Sequence, residues 1–343
     1  MKISLLVPCF NEEKAVEACI ISCLRQTRKF DEIIFIDDSS TDKTPQILSR
    51  YADRIIIKKT AQNSGNKSRA QEFGMNFVTG DIFVTTDADT ILNVNFTKEV
   101  EKSFEREVDL SAMAGYVSSL PYNWITLCRA FDYVIGQNIH KLAQSYLNFM
   151  FVMPGVASAF KTEVFRKYIT FDHDTITEDL DFTYKLHNEN LKINYNRNAI
   201  SYTQDPPTLH SYINQMRRWY GGGWQNLLKH YKTNAHPVRT LELSLMYIEG
   251  VVFSFLLFAT LIINPYLWLI FILFYLSVVF ILALWTAWKE KRPDLVLAPF
   301  PYIIIVFINT AIFIEQFVKE VILKRKNLIW FRPERVANNI NQV

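Results

Sequence analysis

The last third of the chain is dominated by uncharged, apolar sequence, and this feature constrains the fold most. From Leu243 to Trp288 the single charged side chain is Glu249, and Asn264-Pro265 interrupts the run near its middle. A further run from Leu295 to Val318 is charged only at Glu315. A helix of about 20 apolar residues is long enough to cross the hydrocarbon core of a bilayer.

These runs predict three apolar membrane segments, at residues 243–263, 266–288 and 295–318, with a tight turn at Asn264-Pro265-Tyr266. The alternative, buried helices of a water-soluble core, would need shorter runs with a polar face. We therefore expect a soluble domain at residues 1–235, a membrane domain at 236–323 and a basic tail at 324–343. The mean hydropathy of +0.05 is then the average of two unlike parts.

The charge of the chain argues against a nucleic-acid partner, and its cysteine spacing argues against a metal held by cysteines. The 343 residues carry 37 basic and 34 acidic side chains, a net charge of +3. Nucleic-acid-binding proteins usually carry a strong basic excess, so we expect no nucleic-acid partner. The four cysteines lack metal-ligand spacing and are expected to be small buried apolar residues.

Two basic clusters bear on the orientation in the membrane. Lys289, Lys291 and Arg292 follow the second apolar segment, and Lys324-Arg325-Lys326 follows the third. The positive-inside rule favours the cytoplasm for both clusters. Ile3–Pro8 is too short for a signal peptide, so we expect a multi-pass cell-membrane protein with a cytoplasmic soluble domain. Three full spans cannot place the soluble domain and both basic clusters on the cytoplasmic side. Either one apolar segment lies along the membrane surface or re-enters the membrane, or the tail is external.

The first 95 residues alternate between short apolar strands and helical patterns. This alternation predicts an α/β fold with a mainly parallel sheet and helices on both faces. Ligands of such sheets bind at the carboxyl ends of the strands. The predicted strands are Ile3–Pro8, Glu32–Ile36, Arg54–Lys58 and Asp81–Thr85, and the predicted helices are Glu12–Gln26, Thr44–Tyr51 and Lys67–Val78.

Polar and acidic residues follow three of these strands. Pro8-Cys9-Phe10-Asn11-Glu12 follows the first, Asp37-Asp38 follows the second, and Asp87-Ala88-Asp89 comes after the fourth. Helix capping could explain some of these residues. However, two carboxylates one residue apart after an apolar strand are costly to bury without a cation. Asp87 and Asp89 therefore predict a site for Mg²⁺ or Mn²⁺, hard cations that also bind phosphate oxygens.

Together with Thr177-Glu178-Asp179 and Gln215-Met216-Arg217-Arg218-Trp219, these clusters resemble five ordered motifs of family 2 inverting glycosyltransferases. The last motif matches the QxxRW signature of the membrane-embedded branch, which contains cellulose, chitin, hyaluronan and poly-N-acetylglucosamine synthases. The similarity covers most of the chain, including a tail motif at Trp330–Arg335. It implies a GT-A-like domain in which residues 1–95 bind the nucleotide sugar and 96–235 the acceptor, followed by C-terminal transmembrane or interfacial helices.

Direct displacement at an anomeric carbon needs a base for the acceptor hydroxyl. Asp179, with Glu178 beside it, is the expected catalytic carboxylate; the alternative is an acidic loop or helix cap. The resemblance assigns Arg218 to the leaving diphosphate, Trp219 to the acceptor ring and Gln215 to a nearby hydrogen bond. Without it, Gln215–Trp219 would be interpreted as an amphipathic interfacial helix.

The remaining expected ligands concern the nucleotide and the acceptor loop. The resemblance implies that Phe10 flanks the base, that Asp37 or Asp38 accepts a hydrogen bond from it, and that Lys67 approaches the nucleotide. Gly155 matches a glycine near the acceptor. The full set of expected nucleotide-site residues is Pro8, Phe10, Glu12, Asp37, Asp38, Lys67, Asp87, Asp89, Gln215, Arg218 and Trp219.

Three functional hypotheses follow. The leading one is a membrane-bound, metal-dependent enzyme that transfers a sugar from a UDP-sugar, with UDP-N-acetylglucosamine or UDP-glucose favoured, to a growing polysaccharide. Three apolar segments make a small channel, so export would need a second membrane subunit or self-association. The runner-up transfers one sugar to a lipid such as a polyprenyl phosphate, a diacylglycerol or a ceramide. The third, an inactive membrane scaffold, is disfavoured because Asp87, Asp89, Asp179 and Arg218 are all present.

Overall fold

The computed structural model of the chain describes residues 1–147, 149–231 and 237–328, with the backbone alone at 237–246. Most of the predicted basic tail, with the motif at Trp330–Arg335, lies outside these residues. The described chain forms two compact units. The first contains Met1–Leu120 and His140–Gln204, and the second contains Pro121–Ile139 and the residues from Asp205 onward.

The first unit is built on an eight-stranded sheet in the order β3-β2-β1-β4-β7-β6-β8-β5. Neighbouring strands are parallel in the pairs β1–β2, β2–β3, β1–β4 and β6–β8, and antiparallel where β7 meets β4 and β6 and where β5 meets β8. The prediction of a mainly parallel sheet is therefore confirmed. The strands are β1 Ile3–Cys9, β2 Glu32–Asp37, β3 Ile56–Lys59, β4 Ile82–Thr85, β5 Ile91–Leu92, β6 Leu110–Ser119, β7 Ser158–Lys161 and β8 Lys192–Thr203.

Helices cover this sheet because the apolar side chains of the strands on both sides need to be buried. One core cluster joins Leu6, Ile34 and Phe83 of the sheet to Met75 and Leu186 of the helices. The helices up to residue 188 are α1 Val16–Leu24, α2 Thr44–Ser49, α3 Lys67–Met75, α4 Phe96–Arg106, α5 Trp124–Ile135, α6 Lys141–Tyr146, α7 Thr162–Tyr168 and α8 Glu178–Asn188, of which α5 belongs to the second unit.

All seven strands and helices predicted in residues 1–95 are present, with some ends displaced. Helix α1 begins at Val16 rather than Glu12, because Asn11 has a positive φ of 56° and the backbone N–H groups of Ala15 and Val16 both donate to the Glu12 carbonyl. Helix α3 ends at Met75 rather than Val78, where the Phe77 N–H turns back to the Gly74 carbonyl.

The second unit is helical. After α5 it contains α9 Leu209–His230, α10 Pro237–Ile263, α11 Pro265–Glu290 and α12 Pro299–Phe317, and a π-helical turn at Val318–Ile322 extends α12. The predicted break near Asn264 is confirmed, since the Asn264 side chain caps α11 by accepting from the N–H groups of Tyr266 and Leu267.

Two helices of the described chain are long and apolar enough to cross a membrane, Pro265–Glu290 and Pro299–Ile322. Tyr247–Ile263 is a shorter apolar helix among the residues with described side chains. The third apolar run begins with a 3₁₀ turn at Pro293–Leu297, and its α-helix begins at Pro299, where a proline is tolerated at the first helical position. The predicted functional boundaries at residues 95, 235 and 323 stay predictions.

Candidate active site

The carboxyl ends of β1, β2 and β4 lie at one edge of the parallel part of the sheet, so the residues that follow them are neighbours. The turn after β1 is attached to the turn after β2, because the Asn11 side chain accepts from the Thr41 N–H at 2.7 Å. Pro8 and Glu12 are buried and Phe10 is half-buried in this region. Three of the expected nucleotide-site residues therefore lie around one short loop.

Asp37 and Asp38 are both buried at the end of β2, but their oxygens have different partners. Asp37 Oδ1 accepts from the Ser40 N–H at 2.9 Å. Asp38 holds the segment after β3, because its two oxygens accept from Thr60 Oγ1 at 2.8 Å and Ser64 Oγ at 2.7 Å. Asp38 thus fixes the segment after β3, whereas Asp37 engages its own turn.

Lys67 brings together two motifs that are far apart in the sequence. It is the first residue of α3, placed there by the Asn66 cap, whose side chain accepts from the Ser68 N–H. The Lys67 ammonium contacts Asp87 Oδ1 and lies 3.4 Å from Glu178 Oε1. The Asp-x-Asp motif after β4 and the Thr-Glu-Asp motif at the start of α8 therefore share one cation.

The charge state of Lys67 follows from these contacts. Burial alone would lower the pKa of Lys67, but the carboxylates of Asp87, Glu178 and Asp179 outweigh burial and raise it above its ordinary value. Gly155 leaves room for this arrangement, since a Cβ at that position would come 2.9 Å from Lys67 Nζ. Lys67 is therefore a permanent positive charge in the cluster.

Asp179 lies in the first turn of α8, where the helix dipole favours negative charge. Its Oδ1 accepts from the Leu180 N–H at 2.9 Å, and its Oδ2 accepts from the Gly155 N–H at 3.4 Å. Other acids of the same segment do have the structural role considered as the alternative, because Asp172 and Asp181 both pair with Lys185 at 2.8 Å.

The acidic residues after β4 are suited to a divalent cation. Asp89 is 3% exposed and accepts from Thr90 Oγ1 at 3.3 Å, while the Asp87 carboxylate already contacts an ammonium group. Within the described residues, no group of three or more His, Cys, Asp or Glu side chains could hold a metal ion. The Asp87–Asp89 pair is thus a two-carboxylate set of hard oxygens, which fits an ion whose remaining ligands are phosphate oxygens and water.

Gln215, Arg218 and Trp219 lie on α9 in the second unit. Gln215 is buried, and Arg218 and Trp219 are half-buried. The Trp219 ring packs against the guanidinium of Arg129 from α5, which lies 4.8 Å from the ring centroid.

Arg129 belongs to a buried polar cluster that we did not predict from the sequence. It lies 3.2 Å from Asp132 Oδ2 and 3.4 Å from Asp205 Oδ1, and its guanidinium also faces the ring of Tyr133. These residues are separated by up to 76 positions, and no short motif contains them. Lys141 was also missed, because no motif marks a single lysine on a short helix. It is nevertheless 8% exposed, and the negative charge of Asp179 acts on its pKa.

Comparison with known proteins identifies sequence relatives of this chain. The sequence model of glycosyl transferase family 2 matches residues 4–169. The chain is 26% identical over 246 residues to the poly-β-1,6-N-acetyl-D-glucosamine synthase of Staphylococcus aureus, covering 70% of this chain and 60% of that protein. The synthase of Staphylococcus epidermidis is also 26% identical over 245 residues, with coverage of 71% and 59%. The chain thus spans about 60% of the length of the curated relatives that it matches.

Solved structures share the fold at low sequence identity. A mannosyltransferase from Pyrobaculum calidifontis, determined in complex with GDP-Man and Mn²⁺, superposes with a TM-score of 0.61 at 17% identity, covering 94% of this chain and 88% of that one. Staphylococcus aureus TarS superposes with a TM-score of 0.53 at 16% identity, covering 77% and 46%. Residues 4–169 therefore match the glycosyl transferase family 2 model, and the chain has a GT-A-like fold.

Proposed function

We propose that the protein is a membrane-bound, metal-dependent inverting glycosyltransferase that extends a polysaccharide from a UDP-sugar, with UDP-N-acetylglucosamine or UDP-glucose as donor. The observation that carries this proposal is the position of Lys67 between Asp87 and Glu178, next to Asp179. The names of the staphylococcal relatives favour an N-acetylglucosamine polymer as the product.

The reaction in this proposal is a single displacement. The acceptor oxygen forms a bond to the anomeric carbon as the bond from that carbon to the diphosphate breaks, and the diphosphate leaves with the electron pair. Asp179 takes the proton of the acceptor hydroxyl. The Gly155 N–H, which donates to Asp179 Oδ2, orients this carboxylate. Glu178 contributes indirectly, by holding Lys67.

The leaving diphosphate requires positive charge. Lys67 is one source, and Arg218 is a second because its planar guanidinium suits phosphate oxygens. Asp87 and Asp89 would hold Mg²⁺ or Mn²⁺, which when bound neutralises charge on the diphosphate. The Mn²⁺ complex of the mannosyltransferase supports a divalent ion for this fold. Trp219 offers its ring to the acceptor sugar, and Pro8, Phe10, Glu12, Asp37 and Asp38 surround the nucleotide.

The proposed location is the cell membrane, with several crossings and the glycosyltransferase domain in the cytoplasm. The apolar helices of the second unit support membrane attachment. The basic residues after α11 support the cytoplasmic side for the end of that helix.

A donor screen with two variants tests the proposal. Purified enzyme is incubated with individual UDP-sugars and Mn²⁺ or Mg²⁺, and UDP release is measured. Asp179→Asn should lower turnover by about 10²–10⁴-fold, because it removes the proton acceptor, while leaving UDP binding intact. Asp89→Ala should instead weaken metal-dependent UDP binding.

The matched control is Asp172→Asn, which alters a carboxylate of the same acidic segment that pairs with Lys185 on the protein surface. Its turnover should stay near that of the unaltered enzyme. Unchanged turnover in Asp179→Asn would remove this residue from the base role, and tight metal-dependent binding in Asp89→Ala would refute the metal assignment.

Single transfer to a lipid is the second candidate function. The observation that favours it is the direct contact between α10 and α11, where the ring of Phe253 lies 5.9 Å from those of Phe271 and Tyr275. Two helices in contact do not line a path for a polymer. Sizing the product made in the presence of lipid separates the two functions: one sugar on a lipid excludes polymer extension, and a ladder of saccharides excludes single transfer.

A further inference from the structure

Helices α9 and α12 lie side by side and run in the same direction. Tyr212 Oη donates to Asn309 Oδ1 at 2.8 Å, and Gln225 Nε2 donates to Glu320 Oε1 at 2.9 Å. Between them, Arg217 Nε donates to Glu315 Oε2 at 3.0 Å. The partners are 97, 95 and 98 positions apart, a nearly constant offset that requires parallel, in-register helices. The paired length from Tyr212 to Gln225 is about 20 Å.

The contact between these helices is close as well as polar. A Cβ on Gly221 would come 3.0 Å from Gln316 Oε1, so the glycine accommodates this close approach. One turn later, the Trp224 ring packs on Phe313 at 5.3 Å and on Phe317 at 5.1 Å. The polar side of α12 therefore faces α9 along the shared length.

Helix α9 is poorly suited to crossing a bilayer. Arg217, Arg218 and Lys229 place three cationic side chains along its 22 residues. Each charge in the hydrocarbon core is costly, whereas an amphipathic helix at the membrane surface keeps such groups in the headgroup region. Because the second half of α12 and its π-helical extension are paired with α9, we expect α12 to share this position.

The beginning of α12 contacts a second helix that is poorly suited to crossing a bilayer. Tyr302 Oη donates to Asp132 Oδ1 at 2.5 Å, and the Tyr302 ring meets Phe131 edge-on at 5.2 Å. Both partners lie on α5, which carries the charged residues Arg129 and Asp132, and charges are costly in the hydrocarbon core. Both halves of α12 thus contact helices that carry charged residues, and α12 also packs against α10 and α11.

Helix α11 shows the opposite properties. It carries no charged residue from Pro265 to Trp288, whereas α12 and its extension contain Glu315, Lys319 and Glu320. The most exposed large apolar residues of α11 recur at spacings of four and seven positions and so share one face, as expected for a helix with one side toward lipid: Tyr266, Ile270, Phe274, Ile281 and Trp288.

We propose that α12 is not a membrane span but lies with α9 at the bilayer surface, so that the chain crosses the membrane twice, through α10 and α11. This arrangement returns the chain to its starting side after α11. It then keeps Lys324–Lys326 on the same side as Lys289–Arg292. Both basic clusters satisfy the positive-inside rule, which three full spans cannot achieve.

Cysteine labelling of the full-length protein in its native membrane tests this proposal. The four native cysteines are buried, so the background labelling by a membrane-impermeant maleimide should be low. Three single variants report the sides of the membrane: Tyr266→Cys at the start of α11, Asp294→Cys after α11, and Lys326→Cys after α12. Labelling is compared in intact cells and in inverted membrane vesicles.

The expected result places Lys326→Cys and Asp294→Cys on one side and Tyr266→Cys on the other. Labelling of Lys326→Cys on the side of Tyr266→Cys would show that α12 crosses and would overturn the proposal. Labelling of all three on one side would also overturn it, because α10 and α11 would then not cross. None of these residues belongs to the proposed catalytic cluster, so UDP release by each variant verifies that the labelled protein is folded.

Discussion

Lys141 places an amine in the protein interior without a hydrogen-bond partner. The side chain is 8% exposed, and its Nζ forms no hydrogen bond with the described residues. Burial lowers the pKa of Lys141 to about 7, although the negative charge of Asp179 acts in the opposite direction. An amine with this pKa next to the proposed base links the charge of the site to pH within the physiological range.

The stability of the protein should therefore depend on pH through Lys141. Below pH 7 both the folded and the unfolded chain bind the proton, and the folded state carries the full cost of a buried charge. Between pH 7 and about 10 only the unfolded chain binds it, so this cost declines as the pH rises. Lys141→Met should raise the midpoint of thermal unfolding at pH 6 and should raise it much less at pH 9.

Lys141→Arg is the matched control, because arginine stays charged across this range. Its unfolding midpoint should not recover at pH 9 as that of the unaltered protein does. An equal effect of Lys141→Met at pH 6 and pH 9 would contradict the lowered pKa of Lys141.

At the level of elements, helix α5 holds α9 and the chain before it through one arginine. Arg129 is 6% exposed and pairs with Asp132 on its own helix and with Asp205 before α9. It also lies against Trp219, the aromatic residue expected to meet the acceptor. The position of Trp219 therefore depends on an ion pair that the sequence motif itself does not contain.

Arg129→Met should destabilise the protein by about 3–5 kcal/mol, because Asp205, at 2% exposure, would keep its buried negative charge and lose its ion pair with the Arg129 guanidinium. The measurement is the shift of the thermal unfolding midpoint. Arg292→Met removes a surface pair with Asp294 in the same unit and should cost at most about 1 kcal/mol. If Asp205→Asn restores part of the stability lost in Arg129→Met, the loss arises from this charge; equal effects of the two arginine variants would contradict the interpretation.

Features with a local sequence pattern could be predicted, whereas features that depend on distant contacts could not. Local periodicity and turn residues suffice for β1 to β4 and α1 to α3, and the capping Asn264 marks a break that is visible in the sequence. Motifs likewise single out Lys67, Asp87 and Glu178, and the structure brings these three side chains into contact. Arg129, Asp205 and Lys141 escape prediction because their importance arises from burial and from partners distant in the sequence, neither of which has a local pattern.

At the scale of the whole molecule, the membrane region limits whether a saccharide product could be exported across the bilayer. In the proposed arrangement α10 and α11 cross the bilayer, and they pack against each other through Phe253, Phe271 and Tyr275. A saccharide passing through lipid needs polar groups along its path to satisfy its hydroxyls. Within the described chain, one copy supplies no such path, so export would require a second membrane subunit or self-association.

The enzyme reconstituted alone, at one copy per vesicle, should therefore leave its product on the side of the glycosyltransferase domain. Vesicles with this domain outward are supplied with a radiolabelled UDP-sugar, and a glycosidase that matches the sugar is added outside. We expect the same extent of digestion before and after the vesicles are opened with detergent, because no product has crossed. Product that is digested only after detergent treatment would show that a single copy exports it. The number of copies per vesicle is then raised. If export depends on self-association, the product should become protected from the glycosidase; if it depends on a second subunit, the product should stay accessible to the glycosidase.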